Sequence, residues 1–256
     1  MGGWQLSYLR SLLFFAILLI VTPIFTTLQI LLCFWMPHRW RRKSVAPWVG
    51  FTNFLVKHLL GIKYDLRGAE NIPQGRPAVV MCKHQSAWET LALQEIFPSI
   101  LFVWKKELKL IPFFGWALAV TPSISIDRGA GKEAMNSLVA QGKLRLGQGY
   151  SIAIFPEGTR AAPGTQRRYK IGGAALATAA AAPVVPVALN SGEFWGKNSF
   201  LKEPGLVTVS IGPVIETAGL SADEVNARAE AWIEGEMRRI SPYLYEGKEP
   251  TAQPAA

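Results

Sequence analysis

From Gly61 onward the sequence alternates between short apolar runs and longer mixed segments. IKYDLRG, AVVMCK, ILFVW, SISID, SIAIF, VVPVAL and LVTVSI have strand length and β-branched content. Several are separated by helix-length stretches such as ETLALQEIF and KEAMNSLVAQGKLRL. Strand-helix-strand repetition predicts an α/β fold, a mostly parallel central sheet flanked by helices, because a parallel connection must cross one face of the sheet. In that architecture the loops leaving successive strands gather along one edge, where ligands bind. The last helix has a defined start at SADE, where Ser221 and Glu224 fit a reciprocal capping box, and it is expected to run to about Arg239.

The N-terminal quarter obeys a different rule. From Ser11 to Met36 there is no charged residue over 26 positions, roughly 39 Å of helix, enough to cross a bilayer. Pro23 leaves two geometries open: one tilted span, or two shorter helices bent within one leaflet. A cleaved secretory signal would carry a shorter apolar region and a small-residue cleavage site, whereas Trp35, Trp40 and the basic group Arg39, Arg41, Arg42 and Lys43 follow here. That flank predicts an N-terminal membrane-embedded helical segment in the inner membrane with the rest of the chain facing the cytoplasm. The next stretch, VAPWVGFTNFLVKHLLG, reads as an amphipathic helix on the membrane or capping the domain, with His58 on its polar face. The expected organisation is 1–61 as anchoring helices, 62–242 as the α/β domain and 243–256 as a disordered tail.

Composition narrows the chemistry. Half of the residues are hydrophobic and the formal charge is +9, a balance suited to an anionic membrane surface or phosphorylated substrates. The two cysteines, Cys33 and Cys82, both lie in apolar runs, which fits a reducing compartment rather than a disulfide scaffold. The three histidines are dispersed, so no metal set is expected; nor is a cofactor or a nucleic-acid partner.

Of those histidines, His84 sits where the predicted loop edge begins, between AVVMCK and a helix, with Glu89 five residues on. On one continuous helix that spacing points the pair about 140° apart, so they meet only if His84 lies in the loop and folds back. Glu89 would then orient the imidazole and stabilise its protonated form, leaving the other ring nitrogen to accept a substrate proton. SAWE is also a Ser-x-x-Glu capping box, which offers Glu89 a purely structural task. SIAIFPEGTR runs a second strand into the same edge: Arg160 presents planar donors for phosphate, Gly158 allows close backbone approach, and Glu157 can hold Arg160 or a substrate hydroxyl. Equally, Pro-Glu-Gly is an ordinary turn. Lys105 or Lys106, after ILFVW, is a further phosphate contact or a surface charge, and Cys82 reads as a buried strand thiol.

Taken together, HQSAWE at 84–89, KKELKLIPFFG with IDR at 126–128, FPEGTR at 155–160 and VVPVAL at 184–189 resemble, in order, the four blocks of the glycerophospholipid acyltransferases. The resemblance spans roughly residues 62–215. It implies that His84 is the general base and Glu89 its orienting carboxylate. Glu157, Gly158, Thr159 and Arg160 would belong to the acceptor site, with Lys105 a phosphate contact. It also implies transfer from acyl-CoA or an acyl-carrier protein to a lysophosphatidic acid, or to another lysolipid such as a lyso-ornithine lipid; a non-catalytic membrane-binding protein is the reading of a different class. Two positions depart from the family pattern: glutamate stands at 89 where aspartate is usual, and Lys83 stands where asparagine often precedes the histidine. A lysine beside the base would favour its neutral form.

Overall fold

A computed structural model of the chain describes residues 3–36, 38–97, 99–127 and 129–246. Arg128 of the second family block, the side chain of Arg39 and the tail from 247 onward lie outside the described residues. The elements are α1 (Gly3–Trp35), α2 (His38–Arg41), α3 (Ala46–His58), β1 (Ile62–Arg67), β2 (Val79–Cys82), α4 (Trp88–Ile96), β3 (Ile100–Lys105), α5 (Phe114–Ala119), β4 (Ile124–Ile126), α6 (Lys132–Gly147), β5 (Ser151–Ile154), α7 (Gly172–Ala179), β6 (Val184–Leu189), β7 (Gly205–Ile211) and α8 (Ala222–Ile240). Each of the seven apolar runs after Gly61 forms a strand.

The strands make one sheet in the order β1-β7-β6-β2-β5-β3-β4. Every pairing is parallel except β6 with β7. The fully buried β6 contains Pro186, which has no N–H for a ladder. It sits where the antiparallel pairing is interrupted, between Val187↔Ile211 and the isolated bridge Val184↔Ile215. The centre of the sheet is buried on both faces. One core packs α3, α4 and Phe14 of α1 against one face; the other packs α6, α7 and α8 against the opposite face. α7 reads GGAALATA because it lies tight on the sheet: a Cβ at Gly173 would already stand 3.3 Å from Met81. The capping box of α8 forms as its sequence predicts. Packing continues beyond the boundary expected at 242, since Tyr245 is buried and Tyr243 donates to Glu193.

α1 is a single helix through Pro23, and its stretch Gly3–Cys33 is long and apolar enough to cross a membrane. Yet one stripe is tied to the domain along its length. Ser7 donates to Glu203 at 2.7 Å, Ser11 accepts from the Lys202 N–H at 3.0 Å, and Thr22 accepts from Trp48 Nε1 at 3.2 Å. Gln29 donates to Ser44 at 3.0 Å. The opposite stripe, with Leu9, Leu12, Leu19, Ile20, Ile24, Leu28 and Leu31, is exposed. The basic flank expected to set orientation is also partly withdrawn: Arg42 is only 9% exposed and donates Nε to the Ile100 carbonyl at 2.9 Å.

Candidate active site

Parallel strands that end together bring distant segments together. The loops after β2, β5 and β6, adjacent in the sheet, converge at His84. The ladder carries β2 one residue further, the Lys83 N–H donating to Val187 O at 2.9 Å, and the chain then turns so that His84 folds back over the start of α4. His84 Nδ1 lies 2.8 Å from Glu89 Oε1. That same oxygen accepts the backbone N–H groups of Gln85 and Ser86, each at 2.7 Å, and Oε2 accepts from Ser191 Oγ at 2.8 Å. The carboxylate is fully buried. Glu89 therefore meets the imidazole and also holds the turn before α4 through the Gln85 and Ser86 N–H groups, while the expected capping box with Ser86 as cap does not form, since Ala87 is the N-cap of α4. The Ser half of the box differs, because Ser86 Oγ accepts from Trp88 N, one residue short of Glu89, and the helix begins after Ala87.

This arrangement fixes the tautomer. An ionised carboxylate has no hydrogen to give, so Nδ1 carries the proton and donates to Glu89, leaving Nε2 with a free lone pair. The ring is stacked on Phe155 with centroids 3.9 Å apart at 15°, and its side chain is 15% exposed. The imidazole is held on one face and at one nitrogen while its edge stays open.

Beneath the histidine lies a buried ion cluster. Lys83 Nζ stands 2.8 Å from Glu157 Oε1 and 2.8 Å from Glu234 Oε1 of α8, and it donates to Thr165 O at 3.1 Å. Tyr169 donates to Glu234 Oε1 at 2.9 Å. Burial alone pushes the Lys83 ammonium down, but the Glu157 and Glu234 carboxylates together hold it above its ordinary value. Burial, outweighing Lys83 and aided by Glu234, also pushes Glu157 up. One cation among two carboxylates leaves an excess negative charge that favours protons at both sites. Burial, with Glu89 and Glu157 adding to it, drives the Cys82 thiol well above its usual range, so it serves as a core thiol and not a nucleophile.

The FPEGTR turn is locked onto the histidine loop at two points: Glu157 Oε2 accepts the His84 N–H at 2.8 Å, and the Ala161 N–H donates to His84 O at 2.7 Å. Glu157 is thus turned inward, engaged by Lys83 and the His84 backbone; no contact joins it to Arg160. Lys83 likewise points into the core, bonded to Glu157, Glu234 and the Thr165 carbonyl. Gly158 adopts φ +72°, and a Cβ there would come within 2.9 Å of Lys170. Thr159 and Arg160 are half-buried on this turn, and Arg160 has no hydrogen-bond or ion-pair partner among the described residues. Lys105 is apart from this cluster, half-exposed and 3.7 Å from Glu107; Lys106 lies 3.6 Å from Asp127. Sequence reading missed Ser191, Phe155 and Glu234. Of these, Phe155 was signalled by opening the FPEGTR block, and Ser191 by following VVPVAL on the same sheet edge.

Comparison with known proteins places the chain in a family. The acyltransferase family model matches residues 63–190. A 1-acyl-sn-glycerol-3-phosphate acyltransferase of Pseudomonas aeruginosa is 41% identical over 91% of this chain and 92% of its own length. The human 1-acyl-sn-glycerol-3-phosphate acyltransferase alpha is 32% identical over 68% of this chain, which spans 62% of the human protein. The crystal structure of a 1-acyl-sn-glycerophosphate acyltransferase from Thermotoga maritima superposes with a TM-score of 0.76 at 22% identity, covering 91% of this chain and 95% of that one, and shares the fold.

Proposed function

The chain belongs to the acyltransferase family, and we propose that it moves an acyl group from an acyl thioester, of coenzyme A or an acyl-carrier protein, to the free hydroxyl of 1-acylglycerol-3-phosphate, giving phosphatidate. The observation that carries the reading is the His84 Nδ1 to Glu89 Oε1 contact at 2.8 Å, which leaves Nε2 as the proton acceptor at an open edge. His84 Nε2 takes the hydroxyl proton as the alkoxide oxygen attacks the thioester carbonyl. The resulting imidazolium is stabilised by the buried Glu89 carboxylate. Collapse of the tetrahedral adduct breaks the C–S bond, and the proton passes from Nε2 to the departing thiolate. No covalent enzyme intermediate is required.

Arg160, unpartnered on the turn bonded to the His84 loop, is the group that would grip the acceptor phosphate. Lys105 supplies charge at the next strand end. Glu157 acts as a positioning residue for the His84 backbone rather than as a ligand. Membrane attachment follows from α1: a helix bonded to the domain from Ser7 to Gln29 lies along it and sinks its exposed apolar stripe into one leaflet instead of spanning. Exposed Leu110, Ile111, Phe114 and Trp116, on α5 and its approach, lie beside α1 and extend that face from the end of β3. The basic residues beyond α1 support a cytoplasmic orientation at the inner membrane.

The test uses the purified chain in mixed micelles with an oleoyl thioester and three conditions: 1-acylglycerol-3-phosphate, its phosphate-free monoacylglycerol counterpart, and no acceptor. Phosphatidate formation is expected with kcat/KM at least about tenfold above the phosphate-free acceptor. Equal thiol release with and without acceptor would identify a hydrolase and overturn the proposal.

A further inference from the structure

A cavity of about 930 Å³ lies between α3 on one side and α4 with β1 on the other. It includes no residue of the His84–Glu89 pair, the FPEGTR turn or the Ser191 loop, so it lies apart from the groups assigned to the reaction. Arg42 lines it and is more than nine-tenths buried. Its Nε is bonded to Ile100 O and the Tyr150 phenol acts on it electrostatically, but among the described residues no hydrogen bond engages its remaining guanidinium donors and no carboxylate pairs with it. A guanidinium carries five donors and stays charged, so the donors left over after Ile100 can take the oxygens of an anion. Burial holds the group below its ordinary value. The single carboxylate on the wall, Glu95, is engaged by Asn53 at 3.0 Å and Tyr64 at 3.3 Å.

The rest of the lining is two-natured. Lys57 and Lys63 add positive charge, while Val49, Trp88 and Ala92 give an apolar wall. Gly50 faces the cavity from inside α3, where an added Cβ would meet nothing within 4 Å. Glycine is the poorer helix former at such a position, and here it leaves the space open. α3 also packs beside α1 and exposes Phe51 and Phe54, so the cavity borders the face that meets lipid.

We propose that this cavity binds one anionic glycerophospholipid of the membrane, its phosphate on Arg42 and an acyl chain along the α3–α4 wall, at a site separate from catalysis. The assignment rests on the membrane attachment proposed for α1 and not on the acyl-transfer reading. It is tested by native mass spectrometry of the full chain in detergent micelles, titrated with dioleoyl phosphatidylglycerol, dioleoyl phosphatidylcholine or glycerol 3-phosphate. One phosphatidylglycerol is expected to bind about tenfold or more tightly than phosphatidylcholine: both lipids carry the phosphodiester, but the choline ammonium is repelled by Arg42, Lys57 and Lys63 on the wall. Gly50→Leu, which fills the space with a better helix former, is expected to abolish that preference, and Arg42→Gln to weaken it similarly. Should Arg42→Gln fail to fold, Gly50→Leu still decides. Equal binding of the two phospholipids, unchanged binding by Gly50→Leu, or binding of glycerol 3-phosphate as tightly as phosphatidylglycerol would each overturn the proposal.

Discussion

Lys83 Nζ lies 2.8 Å from Glu157 Oε1, with both side chains shut off from solvent, and the other oxygen of that carboxylate holds the His84 N–H. The reacting loop therefore rests on an ion cluster that reaches through Glu234 to the C-terminal helix. Removing the cation strands two buried carboxylates. Lys83→Met is expected to destabilise the chain by roughly 3–5 kcal/mol, the usual cost of breaking a buried pair on one side, read from denaturant or thermal unfolding. Adding Glu234→Gln to that variant should recover part of the loss, because it removes one stranded charge.

The same cluster predicts an alkaline limit. Lys83 is held above its ordinary value of 10.5, so the folded chain keeps a proton that the unfolded chain gives up first. Its contribution is complete below pH 10.5 and is lost as pH rises through the higher folded value. Tyr169, raised by burial and by Glu234, adds a loss of the same sign above its ordinary 10.0. Melting curves between pH 9 and 11.5, roughly spanning these groups, should fall steeply for the wild type and less steeply for Lys83→Met.

At Glu89, charge and geometry separate. In Glu89→Gln the amide oxygen still accepts from Gln85, Ser86 and His84, and the amide nitrogen donates to Ser191 Oγ, which can accept. The fold is expected to survive while kcat falls about 10²-fold, since an imidazolium loses its counter-charge. Glu89→Ala leaves two backbone N–H groups and a hydroxyl without their acceptor and should also destabilise by about 1–3 kcal/mol. Unfolding and steady-state rates measured side by side check both.

Much of this was legible in the sequence, for local reasons. The seven strands announce themselves because each is a short apolar run bounded by turn residues. The convergence of HQSAWE and FPEGTR follows from parallel topology alone. Contacts set by tertiary packing were not legible: Ser191 lies 102 residues from Glu89 and Glu234 lies 151 from Lys83, and no periodicity links such positions. Lys83 illustrates the difficulty. Beside a histidine in sequence it suggested a neighbouring charge, yet strand alternation turns adjacent side chains to opposite faces and sends this one into the core. Glu157 was misread similarly, as a motif carboxylate facing ligand.

Arg160 has a selective prediction. Arg160→Ala should lower kcat/KM for a phosphate-bearing acceptor by roughly 10–100-fold, the worth of a charged hydrogen bond, and leave a phosphate-free acceptor almost unaffected. Arg160→Lys should recover only part, because an ammonium lacks the planar fork. Acceptor competition assays measure the difference.

The account stands most directly on the imidazole. Phosphatidate formation by His84→Ala, compared with wild type under saturating thioester and 1-acylglycerol-3-phosphate, is expected to fall by about 10²–10⁴-fold in kcat with the melting temperature little changed. A folded His84→Ala chain that turns over within about threefold of wild type, far less than general-base catalysis supplies, would contradict it.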